Sequence, residues 1–164
     1  MKYIYHHLGL GDHIINNGMV RQFYKEYGAI TLFSYKHNVK NVQYMYRDLE
    51  NFQVIGVESD PQTDQYISNN DLDCIKIGFD NLTGVMPDLP FDEAFYKLAG
   101  LDFSVRFDEF YLQRDLEKEQ EVVNTLNPTG DSYVFVHDDS SRGFSIDMNK
   151  VKTDHKIIMN DKRF

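Results

Sequence analysis

The sequence predicts an α/β protein built on a doubly wound parallel sheet. Three observations carry this. Short β-branched and aromatic runs alternate with amphipathic segments from Lys2 to Ile77. The amphipathic segments repeat their apolar residues every three to four positions. Glycine and proline fall at the joints between the two. Strands that alternate with helices pair in parallel, and right-handed crossovers then place helices on both faces of the sheet.

The elements follow in order. Lys2–His7 reads as a strand that runs into a glycine-rich stop. Asp12–Tyr27 reads as a helix: Ile15, Met19, Phe23 and Tyr27 recur every four residues, and Ile14 and Val20 widen the face. Gly28 suits the position just past its end. Ala29–Tyr35 is a second strand. Asn38–Asn51 is a second helix, with Val42, Met45, Tyr46 and Leu49 on one side. Phe52–Val57 is a third strand, Asp60–Ser68 a helix with Pro61 in its first turn, and Cys74–Ile77 a short fourth strand.

The middle of the chain breaks this rhythm. Asn81–Pro90 holds Gly84, Pro87 and Pro90 and reads as a loop. Phe91–Leu98 reads as a helix stopped near Gly100, Phe103–Phe107 as a short edge strand, and Gln113–Leu126 as a charged surface helix. Asn127-Pro128-Thr129-Gly130 is a strong breaker, so the expected domains are 1–127 and 131–164. The second opens with the strand pattern "DSYVFVHDD", turns through "SSRGF" and holds a further strand at Lys156–Met159. A segment of about 34 residues buries too little surface to fold alone. It either completes the first sheet or begins a second α/β half that continues further, and the second is the expectation.

Composition narrows the function. The chain is 41% hydrophobic and 26% charged, an ordinary globular balance, and its 12 Phe and 11 Tyr supply a core. Its net charge of −9 disfavours nucleic acid and anionic membranes as partners. The charge is uneven: residues 1–127 carry 11 basic and 20 acidic side chains, and residues 128–164 carry 6 of each. Cys74 is the single cysteine, with no adjacent base, so it is neither half of an internal disulfide nor a convincing nucleophile. No signal pattern or transmembrane run is visible, and the reading is cytoplasmic.

The most informative stretch is Gly9-Leu10-Gly11-Asp12, between the first strand and helix. It matches only the start of a dinucleotide fingerprint. Ile14 stands where a third glycine belongs, and the second strand ends in Ser34-Tyr35-Lys36-His37, with no acid for a ribose. No phosphate-binding P-loop occurs. The nearby His6, His7 and His13 fit no metal template, and alternation along a strand sends His6 and His7 to opposite faces. No metal site and no cofactor are expected.

Two readings of the turn stay open. Asp12 is a helix cap and the glycines serve a left-handed turn. Alternatively Gly9 and Gly11 leave room for a substrate at the carboxyl edge of the sheet, where such folds bind ligands. Asp12 then stands by helix N–H groups that favour its ionised form and can accept a proton from a hydroxyl. His13, Asn16 and Asn17, near the helix start, are candidates to hydrogen-bond a substrate, and the asparagines read equally as solvent-facing. Arg21 reads as a solvated helix residue.

The stretch "GLGDHIINNGMVRQF" resembles the N-terminal motif of GT-B glycosyltransferases related to the bacterial heptosyltransferases. The matching positions are Gly11, Asp12, Ile14 and, more loosely, Arg21. The resemblance implies a Rossmann-like acceptor-side half in which Asp12 is the general base, with no bound metal needed. "SYVFVHDDSSRGF" looks like the first strand and loop of the donor half of such enzymes. It implies that Ser140, Ser141, Arg142 and Gly143 hold the diphosphate of a nucleotide sugar. The partners implied are a nucleotide-sugar donor and a glycan or lipid-linked sugar acceptor. Arg142 can also simply pair with Asp138 or Asp139. Two other classes stay in view. One is a non-catalytic α/β binding module or truncated remnant. The other is a metal-dependent phosphohydrolase built on His137 and Asp138.

Overall fold

The computed structural model describes residues 1–78, 88–139 and 143–159. The chain divides into two compact units, 1–113 and 114–164.

Among the described residues of the first unit, four strands make one sheet. They are β1 (Lys2–Tyr5), β2 (Ile30–Tyr35), β3 (Phe52–Val57) and β4 (Cys74–Lys76), in the order β3-β2-β1-β4. Every neighbouring pair is parallel, with Tyr3 aligned to Thr31 on one side and to Cys74 on the other. The predicted α/β class and Rossmann-like parallel sheet are therefore present. The chain winds outward from β1 through β2 to β3, then returns to the other side of β1 to add β4. The switch in winding direction falls between β1 and β4.

Alternation along the strands supplies two cores. On one face Ile4, Ile30 and Leu32 pack with Met19, Val20 and Phe23 of α2 (Asn17–Tyr27) and with Val42 and Met45 of α3 (Val39–Met45). Ala94, Phe95 and Tyr96 of α5 (Phe91–Leu98) complete that core. On the other face Tyr5, Phe33 and Val57 pack with Ile67 of α4 (Asp60–Asn69). A fully buried aliphatic or aromatic side chain contributes about 1.5–3 kcal/mol, so these two faces hold the unit together.

Local signals explain most boundaries. Gly28 adopts φ 71° and donates its N–H to the Tyr24 carbonyl at 2.8 Å, which ends α2. Ser59 caps α4 by accepting from the Gln62 N–H, with Pro61 in the first turn.

Three expectations change. The helix expected over Asp12–Tyr27 is two helices, α1 (Leu10–Ile15) and α2, separated by Asn16 at φ −90° and ψ 7°. Helical hydrogen bonds still cross this point, from the Asn16 N–H to the Asp12 carbonyl at 2.9 Å and from the Val20 N–H to the Asn16 carbonyl at 3.0 Å. The helix expected over Asn38–Asn51 is a 3-10 turn at Lys36–Asn38 followed by the shorter α3. The edge strand expected at Phe103–Phe107 is instead the short helix α6 (Val105–Asp108). Asp102 accepts the Ser104 N–H at 2.8 Å and starts the turn, and Phe103 meets Phe107 edge-on at 5.6 Å, a helical spacing.

Gly18 lies where α2 crosses α6. An added Cβ there would come 2.3 Å from the Val105 carbonyl oxygen, so only glycine permits the approach.

The second unit holds α7 (Leu116–Leu126) and the strands β5 (Tyr133–Val136) and β6 (Lys156–Met159). Asp115 caps α7 by accepting the Lys118 N–H at 3.1 Å. The Asn127–Gly130 turn lies inside this unit and joins α7 to β5, with Gly130 at φ 69°. β5 and β6 pair in parallel as a sheet of their own, so among the described residues they do not extend the first sheet. Lys156 Nζ donates to the Leu126 carbonyl at 2.8 Å, closing the end of α7 onto β6. No helix among the described residues is long and apolar enough to cross a membrane.

Candidate functional site

The strands of the first unit deliver their carboxyl ends to one edge. β1 runs on into His6, His7, Leu8 and Gly9, β2 ends at Tyr35, and β3 is followed by the Ser59-capped start of α4 with Asp60. Between them lies a cleft of about 220 Å3 lined by His7, Leu8, Gly9, Asp12, Tyr35 and Asp60. A broader depression of about 640 Å3 follows α7 past Leu116, Gln120 and Asn124. Its lining comes from one helix, so it brings no groups together from different elements.

Asp12 is not the helix cap. α1 begins at Leu10 with Gly9 as its N-cap residue, and no side chain caps it. Asp12 occupies the third helical position, and its side chain is 23% exposed at the cleft. Gly9 has φ −71° and Gly11 is not among the positive-φ residues, so neither serves a left-handed turn. What Gly9 provides is room: a Cβ there would meet Asp12 Oδ2 at 2.6 Å. Gly11 faces open space, with nothing within 4 Å of an added Cβ.

The cleft has a defined polar wall. The Tyr5 hydroxyl donates to Asp60 Oδ1 at 2.7 Å. Burial, and then that carboxylate, push the Tyr5 phenol well above its ordinary range, so it stays a donor. His7 Nδ1 lies 3.9 Å from Asp12 Oδ1. The described lining carries two carboxylates and no lysine or arginine, a surface suited to hydroxyl groups rather than to phosphate.

His13, Asn16 and Asn17 lie elsewhere: all three are fully buried, which also removes the solvent-facing reading of the asparagines. His13 packs against His6, with ring centroids 4.5 Å apart. His6 donates its Nδ1–H to the His7 carbonyl at 2.7 Å. Its Nε2, both ring nitrogens of His13 and both amide atoms of Asn16 have no hydrogen-bond partner among the described residues. Burial pushes His6 down to about 4 and His13 well below the usual imidazole range, so both rings are neutral near pH 7. Asn17 turns its Oδ1 to Arg21 Nε and to the Tyr111 N–H.

Arg21 is neither solvated nor at the cleft. It is 7% exposed, forms a bidentate pair with Asp48 at 2.8 Å on both oxygens, and donates to the carbonyls of Met45 and Tyr111. It also lies over the rings of Tyr46 and Tyr111. These hydrogen bonds hold the Asp48 carboxyl below its ordinary range.

Of the expected diphosphate-binding group, Ser140, Ser141 and Arg142 lie outside the described residues. Gly143 adopts φ 75° after them, a conformation that favours glycine. No three His, Cys, Asp or Glu side chains among the described residues come together as a metal centre.

Sequence reasoning therefore pointed to Asp12 and Gly9 and missed His7, Tyr35 and Asp60 as cleft residues. The signal for them was positional: each stands just past, or at, the carboxyl end of a predicted strand. Compared with known proteins, the chain matches no family model, no curated sequence and no solved structure.

Proposed function

We propose that this chain belongs to a cytoplasmic glycosyltransferase of the GT-B type, its first unit forming the acceptor side. The reaction moves a sugar from a nucleotide-sugar donor to a hydroxyl of a glycan or lipid-linked acceptor. The observation that carries the reading is Asp12: a carboxylate on a cleft at the carboxyl edge of a parallel sheet, beside a glycine that leaves it room. Proton abstraction from the acceptor hydroxyl depends on this carboxylate. On the same reading Ser140, Ser141, Arg142 and Gly143 hold the leaving diphosphate, with two hydroxyls and a planar guanidinium suited to phosphate oxygens.

The test supplies the protein with a panel of nucleotide sugars and saccharide acceptors, and follows released nucleoside diphosphate and glycosylated product by mass spectrometry. Asp12→Asn is expected to lower turnover by roughly 10²–10⁴-fold, with the circular dichroism spectrum and melting temperature retained. Unchanged turnover in that variant removes Asp12 from the chemistry.

A second reading, a non-catalytic saccharide-binding module, is favoured by one observation. The described lining of the cleft offers groups that hydrogen-bond hydroxyls and carries no lysine or arginine for a donor's diphosphate. Saccharide binding without transfer from any donor would select it.

A further inference from the structure

Part of the cleft wall comes from the second and third strands. β2 ends at Tyr35, which is aligned with Val57 at the end of β3, and α4 begins three residues later at Asp60. Parallel pairing therefore brings Tyr35 and Asp60 to the same cleft. Tyr35 is half-buried, and two contacts fix it. Its N–H donates to the Leu8 carbonyl at 3.3 Å, and its ring stacks on His37 at 5.5 Å with the planes 13° apart. It gives the cleft a rigid aromatic surface beside polar groups, the combination that small-molecule sites use for affinity and orientation.

Asp60 is anchored from inside the protein. The Tyr5 side chain is fully buried, and its hydroxyl donates to Asp60 Oδ1 at 2.7 Å. Asp60 Oδ2 takes no hydrogen bond from any described residue. A carboxylate held by one oxygen presents the other in a fixed direction. Its hydrogen bond to a ligand hydroxyl is charge-assisted, and so stronger than one between neutral groups. The described lining adds the Asp12 carboxylate and no lysine or arginine. A ligand carrying phosphate or carboxylate meets like charge here with nothing to neutralise it.

We propose that Tyr35 and Asp60 form a subsite that selects an uncharged sugar unit. The sugar ring lies against Tyr35 and one of its hydroxyls donates to Asp60 Oδ2. Tyr5 is the positioning residue for that carboxylate. The proposal rests on the cleft taking a saccharide, which both readings above share. It gives these three residues no part in making or breaking bonds, and it excludes sugars that bear an anionic group where they meet Asp60.

Binding to the whole chain tests this, followed through its amide NMR resonances. The probes are the methyl α-glycosides of glucose, galactose and mannose, against glucose 6-phosphate at equal concentration. At least one neutral glycoside is expected to shift the Tyr35 and Asp60 amides saturably, and glucose 6-phosphate is expected not to. Asp60→Asn is expected to weaken the neutral glycoside roughly tenfold and to narrow its advantage over the phosphate. Tyr35→Ala is expected to weaken it by a similar factor. Tyr5→Phe keeps the buried ring and is expected to weaken binding too. Added to Asp60→Asn, it is expected to weaken binding no further, whereas a merely structural tyrosine would act independently. Refusal of all three glycosides, equal binding of the phosphate, or affinity indifferent to Asp60→Asn overturns the proposal. Glycoside binding through Asp60 with no transfer from any donor sinks the transferase reading and leaves the subsite standing. Transfer with an unchanged acceptor KM in Asp60→Asn and Tyr35→Ala does the reverse.

Discussion

His6 and His7 are adjacent in sequence and opposite in environment. His6 is fully buried beside His13, whereas His7 lines the cleft. Strand alternation predicts that opposition from the sequence; it does not say which of the two enters the core. The buried pair has a measurable consequence. Both rings have folded-state values depressed below the unfolded imidazole value, so near pH 7 both states are neutral and the shift costs nothing. As pH falls below about 6.5 the unfolded chain binds protons that the folded chain refuses, and stability drops until the folded value is reached. For His6, pushed down to about 4, that span corresponds to about 3 kcal/mol. Urea denaturation at a series of pH values between 7 and 4 is expected to show this decline. His6→Leu combined with His13→Leu should flatten it.

Elements are joined by side chains that their own periodicity does not reveal. Arg21 sits on α2, yet its partners are Asp48 just beyond α3, the Met45 carbonyl at the end of α3, and the Tyr111 carbonyl far along the chain. It is a buried cation, hydrogen-bonded through all three of its nitrogens, that ties three segments together. Removing Asp48 leaves the Arg21 charge buried and unpaired, whereas Asp48 itself is exposed and is hydrated when Arg21 is removed. Asp48→Ala is expected to cost about 3–5 kcal/mol, read from the shift of the urea midpoint, and Arg21→Ala to lower the midpoint as well. The pair also adds acid sensitivity of its own. The Asp48 pKa is depressed on folding, so its contribution is present above the unfolded carboxylate value and is lost as pH falls through the folded one. The misread α6 belongs at this scale too. Phe103 and Phe107 are four residues apart, which fits one helical face, while apolar and aromatic content alone had suggested a strand.

The two units differ in what they bury. The first has a sheet with a core on each face. In the second, Val136 and Ile158 are the buried apolar side chains among the described residues. A unit with so little buried apolar surface does not offset the entropy of ordering its backbone. A fragment of residues 1–113 is therefore expected to melt cooperatively and give dispersed amide NMR spectra. A fragment of residues 114–164 is expected to do neither. A cooperative transition in the shorter fragment would contradict this division of stability.

The sequence by itself determined the class and sequence of the principal elements. Parallel strands and amphipathic helices are written in local periods, and Phe52–Val57, Phe91–Leu98 and Lys156–Met159 appear in the structure with the bounds their patterns suggest. It also singled out the Gly9–Asp12 turn, because glycines at the carboxyl edge of a strand are a local signal. The composition of the cleft was decided only by tertiary structure. His7, Tyr35 and Asp60 belong to three successive strand ends and meet because β1, β2 and β3 run side by side in parallel. The same packing turned His13, Asn16 and Arg21 inward and left Asp12 facing the cleft. Which side of a helix or strand is buried depends on the neighbour it packs against, and that neighbour is remote in sequence.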